Sequence, residues 1–195
     1  MSEPLGRRER KKAQTRQALA DAALRLFLER GYDAVGVKDV ADAADVAVTT
    51  LFKHFPSKEA LVFDLDADLE AALVSAVRDR APGQSAPAAL RDHILGWAVK
   101  AAADERAAAM RRMVEKTPAL SEYARRMWVR HETALAHAIA DDCGVPADDL
   151  ACAALARFTL EAAGLVQRHA DPHEAANVIF GLLDQGWTAQ RPEPG

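Results

Sequence analysis

The side chains of this 195-residue chain that are best suited to contact another macromolecule lie between residues 48 and 54. They are Val48, Thr49, Thr50, Lys53 and His54. Threonine methyls and hydroxyls can meet base edges in a DNA groove, and lysine and histidine can meet phosphates. The set is poorly suited to a protein core, so it predicts a surface that contacts double-stranded DNA.

Two short helices joined by a tight turn are predicted to carry these residues, one over residues 37–44 and one over residues 48–54. Their apolar sides are Val40, Ala43 and Ala44 on the first helix and Leu51, Phe52 and Phe55 on the second. Asp45 lies between them, and aspartate tolerates the left-handed conformation that ends a helix better than most residues with a side chain. Two helices crossing steeply through such a turn make a helix-turn-helix.

The span from Thr15 to Leu65 resembles the DNA-binding domain of the TetR family of transcriptional regulators. The matching positions are Thr15-Arg16, Ala22-Ala23, Leu26-Phe27, Gly31-Tyr32, Val40-Ala41, Ala44, Val46, Leu51, Phe55 and Ser57-Lys58-Glu59-Ala60-Leu61. The resemblance implies an all-α regulator that binds operator DNA and dimerises through its last two helices. It covers about a quarter of the chain, and the rest is similar to the family only in length and helical character.

Five positions depart from the family pattern, and one of them is Gly36, where a capping serine or threonine is common. Asp45 replaces the turn glycine, Ala47 replaces the serine that opens the second helix, and Phe52 replaces a tyrosine. Thr49 stands where a small residue is usual. Asp45, Ala47 and Phe52 are the only support for an alternative hypothesis, in which the chain is a helical sensor or scaffold that acts through protein partners and has a degenerate DNA-binding domain.

Three further cations are predicted to contact DNA. Arg16 belongs to the residues that carry the resemblance, and Lys38 opens the first helix of the motif. Lys58 is expected in the first turn of a long fourth helix that Ser57 would cap. A cation is disfavoured by the helix dipole there, which makes sense if a phosphate lies beside it. The basic run before residue 17 is either a solvated tail or a further contact with DNA.

Composition bounds the class of protein. The net charge is −4, but residues 1–58 carry +3 and the remainder carries −7. Helix formers dominate, which predicts an all-α fold. No signal peptide or membrane span is expected, and two cysteines without metal-ligand spacing fit a cytoplasmic protein. The predicted domains are residues 1–57, which bind DNA, and residues 58–195, which bind a ligand and dimerise.

Capping signals predict about nine helices. Beside the two helices of the motif, helices are expected at residues 11–30, 57–79, 87–103, 118–143, 146–169 and 172–188. A further short helix is expected to end at about residue 116. Residues 1–9 and the tail after the last helix are expected to be disordered or frayed without DNA. A loop at 81–87 separates the fourth helix from the fifth.

A ligand pocket is predicted among the fifth to eighth helices. Its candidate residues are His93, Trp97, Met113, Met127, Trp128, His131, Phe158 and Glu161. His131 interrupts the apolar stripe of the seventh helix and would be the polar contact, since such pockets pair an apolar lining with a few polar groups. The alternatives are a satisfied core histidine for His131 and a surface ion pair between Arg157 and Glu161.

The last two helices are predicted to form a homodimer interface. Small residues such as Gly164, Gly181 and Gly186 would let helices approach closely, and the ninth helix is apolar around most of its circumference. No glycine-rich phosphate loop, nucleophile elbow or metal-ligand spacing is found, so neither catalysis nor a cofactor is expected. The sequence favours a homodimeric repressor that a small, largely apolar ligand releases from a palindromic operator. An activator, or a regulator without a small-molecule inducer, remains the alternative within this class.

Overall fold

Nine α-helices and no strand make up the regular structure of residues 6–190, the part of the chain that this computed structural model describes. The helices are α1 (Arg7–Arg30), α2 (Val37–Ala43), α3 (Val48–His54), α4 (Asp66–Arg78), α5 (Ala86–Ala102), α6 (Glu105–Lys116), α7 (Pro118–Cys143), α8 (Leu150–Arg168) and α9 (Pro172–Gln190). The predicted all-α class is confirmed. Residues 1–5 and 191–195, predicted to be disordered or frayed, lie outside the described residues.

Several helix ends differ from the prediction. α1 begins at Arg7 rather than near residue 11, so the predicted disorder of residues 7–9 is wrong. α8 begins at Leu150 rather than at Pro146, because the Asp149 side chain accepts a hydrogen bond from the Cys152 backbone and caps the helix there. Gly31, with φ of +88°, ends α1 as predicted.

The predicted long fourth helix is wrong. Ser57 caps only a three-residue 3-10 turn, Glu59–Leu61, by accepting a hydrogen bond from the Ala60 backbone at 3.3 Å. α4 then begins at Asp66. Lys58 therefore does not lie in the first turn of a long helix, and the dipole argument for a phosphate beside it no longer applies.

The chain divides into two compact units whose limits differ from the predicted boundary after residue 57. The first unit contains the chain up to Asp64 together with Ala109–Ala124. Its core is built by α1, α2, α3 and the 3-10 turn, with Leu120 of α7. The largest fully buried side chains there are Leu19, Phe27, Leu51, Phe55, Leu61 and Leu120.

The second unit contains Leu65–Ala108 and the chain from Arg125 onward. In it, α5 packs against α4, α8 and α9, and α8 packs against α9. Leu73, Leu90, Leu135, Ile139 and Phe180 are fully buried in its core or nearly so. This unit contains most of the residues predicted to bind a ligand and both helices predicted to dimerise.

Candidate functional site

Hydrogen bonds fix the helix-turn-helix of the first unit at the start of α2 and in the turn between α2 and α3. Asp39 accepts a hydrogen bond from the Gly36 backbone at 2.7 Å and so caps α2. Asp45 has φ of +53°, the left-handed conformation predicted for it, and is the only residue with a side chain to adopt it among residues 6–190. The Val46 backbone then donates to the Ala41 carbonyl at 3.0 Å, which closes the turn.

α3 presents one face to the core and the other to solvent. Leu51 is fully buried, and Phe55 directly after the helix is too. Thr49, Phe52 and Lys53 are exposed, whereas Val48, Thr50 and His54 are half-buried. The residues predicted to meet DNA therefore include an exposed row and a row at the edge of the core. Their contacts with DNA stay predictions.

The ammonium group of Lys58 is occupied inside the unit. Its Nζ donates a hydrogen bond to the Tyr32 carbonyl at 2.6 Å and lies 4.0 Å from the centre of the Tyr32 ring. Burial lowers the pKa of Lys58. The Tyr32 hydroxyl donates to Glu59 at 3.0 Å, and burial and then Glu59 raise the pKa of this phenol. These contacts fix the turn after α1.

Arg16 is also engaged inside the unit. Its Nη1 donates to the His54 carbonyl and its Nη2 to the Asp64 carbonyl, each at 2.9 Å, and Nε lies 2.9 Å from the Asp64 carboxylate. The guanidinium carbon lies 4.4 Å from the centre of the Phe55 ring. Lys38, in contrast, is exposed, and its ion pair with Asp42, at 2.8 Å, raises the pKa of its ammonium group.

His54 ends α3 as a neutral imidazole at neutral pH. Burial, and then the positive charges of Lys12 and Arg16, lower the pKa of His54 below its usual value. Its Nδ1 is buried and has no hydrogen-bond partner in the structure. A phosphate near the ring would favour the charged form and oppose these two effects.

His131 is the centre of a polar cluster in the second unit. The ring is fully buried on α7, and its Nε2 lies 2.6 Å from Asp66 at the start of α4. Arg130 contacts the other oxygen of the same carboxylate at 2.5 Å, and Glu70 lies 3.9 Å from Nε2. The other ring nitrogen, Nδ1, is buried and has no hydrogen-bond partner among residues 6–190.

The sequence reasoning missed Asp66 and Arg130, which hold His131 and α4 together. Asp66 is one of several acidic residues near the start of α4, and Arg130 is one of several arginines on α7. Nothing in their local spacing distinguishes them. Asp66 is 64 residues from Arg130 and 65 residues from His131 in sequence. Only the packing of α4 along α7 brings these residues together.

The other predicted ligand residues do not share one environment. Met127 is buried, Trp97 packs against the core of the second unit, and the Trp128 ring meets His131 edge-on at 5.3 Å. His93 is half-buried, and burial, followed by Lys100, lowers its pKa. The remaining three lie elsewhere: Met113 packs in the first unit, Glu161 is exposed beside Arg157, and Phe158 is exposed.

A surface formed by α8 and α9 exposes large apolar side chains, which we call the apolar face. Its members are Leu150, Phe158, Leu165, Val178 and Leu182, each more than half exposed. Two grooves flank them, one of about 270 Å³ beside Phe158, Leu182 and Trp187 and one of about 500 Å³ at the end of α8. By length and composition alone α8 could cross a membrane, a test that core helices of soluble proteins also pass.

Comparisons with known proteins agree with this architecture. The sequence model for "Bacterial regulatory proteins, tetR family" matches residues 19–65. The chain is similar to the HTH-type transcriptional regulator TcmR of Streptomyces glaucescens, with 34% identity over 152 residues that cover 74% of this chain and 67% of that protein. These relatives are transcriptional regulators and not enzymes.

Solved structures share the fold at low sequence identity. The TetR family repressor AlkX from Dietzia sp. strain DQ12-45-1b, implicated in biodegradation of n-alkanes, has a TM-score of 0.61 and 22% identity, with 88% of this chain and 97% of that chain covered. The SmeT–triclosan complex has a TM-score of 0.58 and 16% identity, with 89% and 91% covered. Identities this low establish the fold alone.

Proposed function

The chain belongs to the TetR family of bacterial transcriptional regulators, and from this premise we propose that it is a homodimeric repressor that a small, largely apolar ligand releases from its operator in the cytoplasm. The single observation that carries the proposal is the exposed outer face of α3, built on a turn that Asp45 closes in the left-handed conformation. Because this turn closes without its usual glycine, the replacement of that glycine by Asp45 is compatible with the motif.

For DNA recognition we propose that Val48, Thr49 and Thr50 contact the bases. Lys38, Lys53 and His54 would contact the phosphates. The exposure of Thr49 and Lys53 supports this division, since threonine reads base edges and lysine neutralises phosphates. Lys58 and Arg16 were also predicted from the sequence to contact DNA. In the structure their cationic groups donate hydrogen bonds to backbone carbonyls of the protein.

For dimerisation we propose that a second copy of this chain covers the apolar face. Leu182 at 68% and Leu150 at 83% exposure would be costly to leave in water, and burying each side chain is worth about 1.5–3 kcal/mol. α9, predicted to be buried on nearly all sides, is exposed at Val178 and Leu182 in the single chain. A partner that covers α8 and α9 would complete the predicted burial.

For the ligand we assign the polar contact to His131 in the second unit. Its fully buried Nδ1 has no partner, and a buried polar atom without a partner costs about 1–3 kcal/mol. A ligand with a hydroxyl group would satisfy this atom, with Trp128 beside it. That the structurally similar SmeT has been solved with triclosan is consistent with a small apolar effector.

The experiment that tests the proposal begins with in vitro selection of duplexes from a random library by the protein. We expect a palindromic site whose affinity falls steeply as salt rises, since each neutralised phosphate contributes about −0.9 to the slope of log K against log salt. Triclosan is the first compound to titrate into the protein–DNA complex, and release of DNA is measured. A change in the fluorescence of Trp97 and Trp128 would report binding of the ligand. A protein that selects no sequence would be a scaffold or sensor instead.

A further inference from the structure

We propose that Arg16 is a positioning residue for DNA recognition, which fixes the carboxyl end of α3 and thereby the angle at which α3 meets the groove. The inference rests on the proposed use of α3 as the recognition helix. It departs from the direct DNA contact that the sequence predicts for Arg16. Its basis is the set of contacts that the guanidinium makes with the end of α3 and with Asp64.

Each of the three guanidinium nitrogens faces a different protein oxygen at 2.9 Å: the His54 carbonyl, the Asp64 carbonyl and the Asp64 carboxylate. One flat side of the group lies over the Phe55 ring. Arginine can hold three acceptors in one plane because its N–H groups form a rigid fork, whereas a lysine ammonium is a compact point charge. The ion pair with Asp64 also neutralises much of the charge that a phosphate would need.

α3 depends on an external anchor because it is short and poorly capped. It has seven residues, and its N-cap, Ala47, supplies no side-chain hydrogen bond. Helices of this length are unstable without tertiary contacts, and their last carbonyls have no partner within the helix. Arg16 fills this role at the His54 carbonyl, and a cation there also complements the negative end of the helix dipole.

Asp64 connects the same anchor to the chain after the 3-10 turn. Arg16 lies on α1, so one side chain joins α1, the end of α3 and Asp64, after which the chain passes into the second unit at Leu65. Loss of the fork would leave α3 attached through its apolar side, at Leu51 and Phe55. The helix would then keep its place in the core and lose its fixed orientation.

The test compares Arg16→Lys, Arg16→Gln and the control Arg25→Gln, which removes an exposed charge from α1 that pairs with Glu29 and should change neither DNA affinity nor the salt slope. The probes are the duplex that the wild-type protein selects from a random library and a duplex of the same length with shuffled sequence. Affinity for each is measured at several salt concentrations, and circular dichroism establishes that each variant is folded.

We expect both Arg16 variants to lose about tenfold or more in affinity for the selected duplex, comparable to a mismatched base pair. Binding to the shuffled duplex and the salt slope should stay as in the wild type. A purely structural role would lower binding to both duplexes together through the folded fraction and leave their ratio unchanged. A phosphate contact would instead be retained in Arg16→Lys, and Arg16→Gln would reduce the slope by about 0.9.

Either of those two outcomes overturns the proposal. If the Arg16 variants do not fold, Asp64→Asn takes their place, because it keeps the carbonyl acceptor and removes only the charge that pairs with Arg16. A lower ratio of selected to shuffled binding at an unchanged salt slope supports the positioning role. A ratio equal to that of the wild type in Asp64→Asn refutes it. Failure of the wild-type protein to select any duplex would refute the proposed function instead.

Discussion

Lys53 and Lys58 differ in what surrounds their ammonium groups, and this difference predicts different phenotypes. Lys53 is exposed on α3, whereas Lys58 donates to the Tyr32 carbonyl and lies on its ring. We expect Lys53→Ala to weaken binding to all duplexes about equally and to reduce the salt slope by about 0.9. Lys58→Ala should keep the slope and lower the free energy of unfolding by about 1–2 kcal/mol.

The measurements are DNA titration at several salt concentrations and urea denaturation of both variants. Each variant serves as the control for the other, because both remove one lysine from the same unit. A reduced salt slope in Lys58→Ala, with unfolding unchanged, would return Lys58 to the phosphate contact predicted from the sequence. An unchanged slope in Lys53→Ala would remove Lys53 from the interface.

His54 predicts a pH dependence of operator binding. In the free protein, burial and then Lys12 and Arg16 lower the pKa of His54, so the ring is neutral near pH 7. A phosphate beside it raises the pKa in the complex. Between these two pKa values binding takes up a proton, so affinity should rise as the pH falls, by at most about tenfold per pH unit for each histidine. Titrations between about pH 7.5 and 5.5 should show this rise, and His54→Gln should abolish it.

Among the elements, α2 and α3 could be predicted closely because their signals are local. The signals are buried Val40, the turn at Asp45 and buried Leu51, which lie close together in sequence. The observed limits of both helices are within one residue of the predicted limits. The predicted faces are less accurate. Phe52, predicted on the apolar side of α3, is 49% exposed, and Ala43, predicted on the apolar side of α2, is exposed too. The sequence therefore predicted the limits of these helices better than the direction of each side chain.

The start of α4 could not be predicted from local signals, and the chain around it makes its contacts with residues distant in sequence. Ser57 resembles a helix cap, and a continuous helix from there would use the Asp64 carbonyl in its own hydrogen bonds. In the structure Arg16, 48 residues earlier in sequence, takes that carbonyl. The same limit applies to Asp66 and His131, which meet only when α4 packs along α7.

α4 is fastened to α7 at both ends, and the two fastenings should differ in strength. Asp66 at its start holds buried His131 and Arg130, whereas Arg78 at its end pairs with Asp141 in a contact where both side chains are more than half exposed. Removing one partner of a buried pair costs far more than breaking a surface pair. We expect Asp66→Asn to lower the free energy of unfolding by about 2 kcal/mol or more.

Asp141→Asn is the matched control, since it makes the same change at the other end of the same pair of helices. It should cost about 0.5 kcal/mol or less. Urea denaturation of both variants measures the difference. Equal, small losses would mean that the Asp66 carboxylate does not hold α4, and that His131 is stabilised by its apolar neighbours alone.

At the scale of the whole molecule, the apolar face of α8 and α9 would determine whether two copies of the chain can bind one operator together. A dimer with two-fold symmetry would present two copies of α3 to operator half-sites roughly 34–36 Å apart, or a multiple of that distance. Gly181, predicted to allow a close helix contact, has room for a side chain, since no other helix among residues 6–190 comes within 4 Å of the Cβ position. A close contact at Gly181 in the proposed dimer would therefore come from α8 or α9 of the second copy.

Leu182→Lys tests this arrangement with little risk to the fold, because Leu182 is 68% exposed in the single chain. Burying a lysine charge in an apolar contact between subunits is costly, so the variant should sediment as a folded monomer. Its operator affinity should fall by orders of magnitude, since each α3 would then bind a half-site alone. Val129→Lys is the control, since Val129 is 51% exposed on α7, outside the apolar face, and it should leave the dimer and operator binding intact. A stable dimer of Leu182→Lys would place the subunit contact on another surface.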